Sequence, residues 1–183
     1  PFSPDNTATR AQAAAMLVRI YEKIAAPTDV VHGFYAISSY SQLDLTGDMD
    51  AVSAGWSRMT WDGETATLRT TSADGNEYAI PSGYEEVTDY LSSRNIPLHL
   101  SVFMEGEDLK SLLASDTGRA QAVAQIVDEV TVDYRAIGEN PYSGVTIDFE
   151  GLRSAQRADF TAFLTELDGA LEDLNKDLYV CVS

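Results

Sequence analysis

From Val30 onward, short apolar runs alternate with amphipathic helical patterns, and this alternation limits the possible folds more than any other feature of the chain. The runs cover 30–37, 51–61, 96–104, 144–149 and 178–183. Between them, apolar residues recur at helical spacing. Val123, Ile126, Val127, Val130, Tyr134 and Ile137 share one face of a pattern filling 107–137, and Phe160, Phe163, Leu164, Leu167, Leu171 and Leu174 form a second stripe. A shorter helix is expected from Ser82, where Ser82 and Glu85 have capping-box spacing, to about Arg94. Thr65–Thr71 and Glu77–Ile80, separated by Ala73-Asp74-Gly75-Asn76, read as a hairpin excursion. Strands alternating with helices pair in parallel through right-handed crossovers. An open doubly wound sheet and a barrel both satisfy that rule. No Gly-rich phosphate loop follows the first run, which weakens the nucleotide-binding sheet. A complete barrel takes about 250 residues. The expectation is therefore an α/β chain forming a partial (β/α)8 TIM barrel over 30–183, truncated after its fifth strand.

Residues 1–25 form a separate unit. Pro4-Asp5-Asn6-Thr7 is turn chemistry, and Thr9 with Gln12 has capping-box spacing. Ala13, Met16, Leu17, Ile20, Tyr21 and Ile24 then give one apolar helical face, which needs something to pack against. Residues 26–29, Ala-Pro-Thr-Asp, read as a linker.

Charge excludes some partners. A net charge of −17 repels phosphate backbones and anionic lipid surfaces, so no nucleic acid is expected as a partner. No apolar run reaches the roughly 20 residues of a membrane helix, so no membrane insertion is expected. The one cysteine, Cys181, cannot form an internal disulfide and reads as a small apolar residue in a buried strand.

Chemistry concentrates in Gly144-Val145-Thr146-Ile147-Asp148-Phe149-Glu150-Gly151. Side chains alternate along a strand, so Val145, Ile147 and Phe149 face covering helices while Thr146, Asp148 and Glu150 face the other way. Parallel strands are normally apolar on both faces. Here one face ends in two carboxylates, and burying such groups unpaired costs several kcal/mol. In a barrel they would lie at the strand's C-terminal end, where active sites form. Two acids so close favour a proton on one of them, as a general acid requires. The competing reading is structural: both acids would cap the following helix.

This segment resembles the D-x-x-D-x-D-x-E signature of family 18 glycoside hydrolases, a family of chitinases, endo-N-acetylglucosaminidases and spore-cortex peptidoglycan hydrolases. Asp148 takes the place of the final Asp and Glu150 that of the Glu, while Ser143 and Thr146 stand where the first two acids would be. The form is most similar to the bacterial cell-wall branch. In the third run the family's S-x-G-G is matched at Ser101 alone, in Ser101-Val102-Phe103-Met104. The resemblance implies a retaining, substrate-assisted glycosidase acting on β-1,4-linked, N-acetylated glycans such as peptidoglycan or chitin. Glu150 would be the acid and Asp148 would orient the substrate's acetamido group. No metal or cofactor is implied. Tyr35, Ser101, Phe103 and Thr146 are the candidate substrate contacts. Trp56 and Trp61 are further stacking candidates, read first as core residues, and His32 and His99 read as structural.

Phe2 to Arg19 resembles the last half of a surface-layer homology repeat, with Thr9-Arg10-Ala11-Gln12 at its T-R-A-E motif. That likeness implies an extracellular, cell-wall-associated protein whose full set of repeats binds a wall polysaccharide. The alternative to an enzyme is a non-catalytic carbohydrate-binding or wall-display module on a degenerate barrel, favoured by Ser143 and Thr146.

Overall fold

The computed structural model describes residues 10–24, 30–134 and 138–182. The chain forms two compact units, 1–30 and 31–183. In the first, helix α1 spans Arg10–Ile24, and Met16, Leu17 and Ile20 are each more than half exposed on it. The turn at 4–7, Thr9, the linker 26–29 and Ile137 lie outside the described residues, as do the side chains of Tyr21 and Ile24.

The second unit is a sheet with helices packed on one face. Its strands are β1 (His32–Tyr35), β2 (Ala51–Trp61), β3 (Ala66–Arg69), β4 (Leu98–Glu105), β5 (Gly144–Glu150) and β6 (Asp177–Val180). Five of them pair in parallel in the order β1-β2-β4-β5-β6, and β3 pairs antiparallel with β2. Helices α2 (Tyr84–Ser93), α3 (Gly106–Ala114), α4 (Asp116–Glu129) and α5 (Arg157–Glu172) connect the parallel strands. The result is the half-barrel expected from the alternation.

The core lies between sheet and helices. Val52, Ala54, Leu100, Val102, Val145 and Ile147 supply its strand side, and Leu109, Ile126, Phe163 and Leu167 its helix side, all at most 1% exposed. Phe149 stacks on Phe163, with ring centres 5.2 Å apart. Each fully buried side chain of this kind contributes on the order of 2 kcal/mol.

Three local expectations fail for identifiable reasons. Residues 77–80 are not a strand. The hairpin instead joins β3 to β2 through a turn in which Asp62 Oδ1 accepts from the amides of Glu64 (2.9 Å) and Thr65 (2.8 Å), with Gly63 at φ 101°. The loop after β3 is clasped by Asn76, whose side-chain amide donates to the carbonyls of Thr71 (3.0 Å) and Tyr78 (2.7 Å). No capping box starts α2. Gly83 enters it at φ 86°, a left-handed turn only glycine takes freely, and no side chain caps the helix. The pattern over 107–137 is two helices. Ser115 ends α3 and caps α4 by accepting from the Gly118 amide at 3.0 Å, and α4 stops at Glu129. There Asn140 donates to the carbonyls of Glu129 and Val132 and holds the exit.

Candidate active site

The residues of β5 take the two environments that alternation assigns them. Val145, Ile147 and Phe149 belong to the core under the helices. Thr146, Asp148 and Glu150 line the opposite, concave face, and they become progressively more open toward the strand tip: Thr146 is buried, Asp148 half-buried and Glu150 exposed. Gly151, at φ 74°, turns the chain away immediately afterwards. The capping alternative does not describe these acids. The helical segment that follows is entered at Arg153, whose amide donates to Gln156 Oε1 at 3.2 Å. Among the described residues, neither Asp148 nor Glu150 accepts a hydrogen bond from a helix amide.

Register identifies their neighbours on the concave face. Ser101 is level with Thr146, Phe103 with Asp148, and Glu105 with Glu150. Ser101 and Phe103 therefore share the face with the two acids, as does Thr146. Phe103 is buried yet stands apart from the core beneath the helices. Tyr35 does not share it. It is level with Ala54 on the helix-packed face, 4% exposed, with burial and nearby Glu86 holding its phenol above the usual range. That placement makes it a packing residue. Trp56 and Trp61 are core residues too, and Trp56 meets Tyr84 and Tyr142 edge-on.

Below the acids the concave face is filled by a polar layer. Ser53 Oγ lies 2.6 Å from both Thr146 Oγ1 and His32 Nε2. His32, His99 and Tyr179 pack ring to ring at 4.5–5.3 Å. His99 is fully buried, and neither of its ring nitrogens has a hydrogen-bond partner. Asp177 is 3.6 Å from its Nε2, too far for a hydrogen bond. Burial first, and then the neighbouring His32, push His99 down to about 4, so it is neutral at pH 7. Thr146, standing where the family pattern has an acid, thus ties the strand to this layer by a neutral hydroxyl.

Four participants escaped the sequence reading. Cys181 was expected in a buried strand. It lies just beyond β6, half-buried, its backbone amide bonded to the Ile147 carbonyl at 2.9 Å and its thiol against the Asp148 carboxylate. Burial, then the charge and hydrogen bond of Asp148, then Glu150, raise that thiol to about 11. Glu105 brings a third carboxylate to the rim. Tyr78, held by the Asn76 clasp, stacks flat on Phe103 with ring centres 4.4 Å apart, and the Arg58 guanidinium lies 4.9 Å from both rings. Strand alternation could have flagged only Glu105, since the other contacts are set by a loop and by inter-strand register.

No protein-family profile matches this sequence, and no curated protein does. Solved structures do. The C-terminal domain of a putative chitinase from Desulfitobacterium hafniense aligns with a TM-score of 0.63 at 21% identity, over 85% of this chain and 46% of that one. A class V chitinase from Pseudomonas fluorescens aligns at 0.63 and 25% identity, over 82% and 44%. A family 18 chitinase from Cycas revoluta, solved with (GlcNAc)3, aligns at 0.53 and 15%, over 84% and 46%. This chain spans less than half the length of each. Its five parallel strands in order, with helices on one face, form a half-barrel whose fold is similar to that of these chitinases.

Proposed function

We propose that the protein is a glycosidase that cleaves β-1,4 linkages in N-acetylglucosamine-containing glycans, with Glu150 as general acid and Asp148 as its partner. One observation carries this reading. The two acids stand together at the tip of the fourth parallel strand, on the concave face and off the helix-packed core. Glu150, the more open of the two, protonates the glycosidic oxygen as the bond to the anomeric carbon breaks. The carbonyl oxygen of the substrate's 2-acetamido group attacks that carbon from the other side and forms an oxazolinium ion. Asp148 orients the acetamido N–H and stabilises the positive charge. Water then opens the ring, giving its proton to Glu150, and the product retains the anomeric configuration. No enzyme nucleophile is needed. Chitin-like polymers and peptidoglycan both carry the required acetamido group. The half-repeat at the N-terminus supports an extracellular, wall-associated setting with a wall polysaccharide as partner.

The second reading is a non-catalytic glycan-binding module, favoured by the hydroxyls of Ser143 and Thr146 where the family pattern has acids. The full-length protein, assayed on N-acetylglucosamine oligomers and purified peptidoglycan, separates the two. Cleavage that is lost in Glu150→Gln while binding remains supports the enzyme. Binding without cleavage of any such polymer by the unaltered protein would establish the module.

A further inference from the structure

We infer that Arg58 selects glycans whose sugars carry a carboxylate, about a disaccharide's length from the cleavage point. The inference rests on the concave face being a glycan-binding site. It begins with a defect in β2. Between Ala54 and Ser57 the pairing with β4 slips by one residue, since Ala54 is level with Leu100 but Ser57 with Val102. A bulge of this kind reverses which side chains face in beyond it. Before it, Ser53 faces the concave side, level with His99; after it, Arg58 does, level with Phe103. Met59 and Trp61 are thereby turned into the core. Without the bulge, Met59 would face the glycan side and Arg58 the helices. Bulges are common beside functional sites, where they re-aim a side chain.

What Arg58 does with its charge is the second observation. Arg69 donates to the Ala73 carbonyl and to Asp74, and Arg119 to Leu113, Asp116 and Glu166. Among the described residues, Arg58 pairs with no carboxylate and its guanidinium donates no hydrogen bond to the protein. The chain carries 29 acids against 12 bases, so this is an arginine left unspent where acids abound. It is not loose, because the rings of Tyr78 and Phe103 hold it from one side. A guanidinium fixed by its apolar contacts, with its planar N–H fork free, is suited to a carboxylate. Arg58, Phe103 and Asp148 lie on successive strands, which puts Arg58 about 10 Å from Asp148 across the sheet. A glycan whose acetamido sugar sits at Asp148 would run a neighbouring sugar past the edge of the Tyr78–Phe103 pair and present that sugar's substituent to Arg58.

Binding tests this without turnover. Full-length Glu150→Gln protein is titrated calorimetrically with N-acetylated β-1,4 oligomers in which alternate sugars bear a lactyl carboxylate, and with the same oligomers after reduction of the carboxylates to alcohols. The acidic oligomer should bind at least about tenfold tighter, less so as salt is raised. Adding Arg58→Gln should erase the preference, and Arg58→Lys should keep part of it, which a purely structural role would not do. Equal affinity for the two oligomers, or the same loss on both from either Arg58 variant, overturns the inference. If the unaltered protein cleaves neither oligomer yet keeps the preference, the glycosidase reading fails and this inference stands.

Discussion

Asp148 sits between the Cys181 thiol on one side and Phe103, level with it on the neighbouring strand, on the other. Burial first, and then Asp148, hold that thiol up at about 11. Moving it from 9 to about 11 lowers its thiolate fraction at pH 8 by about a hundredfold, and alkylation of Cys181 should slow to match. Asp148→Asn removes the charge and the hydrogen bond but not the burial, so it should restore part of the rate. Mass-spectrometric alkylation time courses check both, and an Asp148→Asn rate no faster than the unaltered protein's would refute the contact. At this scale the sequence showed the two acids and the side they take, because alternation along a strand is strictly local. It did not show Arg58, Tyr78 or Cys181. Their places depend on a bulge in β2, on the Asn76 clasp, and on the register of β6 against β5.

Among the elements, the five parallel strands and the long C-terminal helix were legible, since each carries a strong period of its own. The excursion after β2 was not. Asp62 and Gly63 make a tight turn that competes with the Ala73–Asn76 segment, and only pairing with β2 decides between them. The entry to α2 likewise turned on the left-handed φ of Gly83, which outranks the Ser82 and Glu85 spacing. Gly144 opens β5 for a packing reason. A Cβ there would lie 2.4 Å from the Asp177 carbonyl oxygen and 2.9 Å from the Asp177 Cβ. Gly144→Ala should therefore push β6 from β5 and cost about 1–3 kcal/mol, read as a lowered midpoint in urea unfolding. Because Asp177 and Cys181 flank the same strand pair, the variant should also speed Cys181 alkylation. An unchanged midpoint would show that the strands part without strain.

For the whole molecule, the polar layer under the acids ties stability to pH. Unfolded, His99 takes a proton near 6.5, whereas folded it does so near 4. Between those values the unfolded chain holds more protons, so stability is complete above about pH 6.5 and falls as the pH drops toward 4. The change attributable to His99 is about 3 kcal/mol, and His32, lowered by burial, adds in the same direction. Asp177 and Tyr179 are the other titratable groups facing this layer, and Asp177 opposes the shift. Urea unfolding of the protein and of His99→Gln at pH 7.0 and 5.0 should show a fall in the first that is reduced in the second. Equal falls would place the titration elsewhere. The concave face that holds this layer also carries the acids at its rim, and on that rim the functional account depends. Its most direct test is the release of reducing ends from N-acetylglucosamine oligomers by the full-length protein and by its Glu150→Gln form. The account predicts cleavage by the first and at least about a hundredfold slower cleavage by the second, with binding retained. Cleavage by Glu150→Gln at the unaltered rate would contradict it.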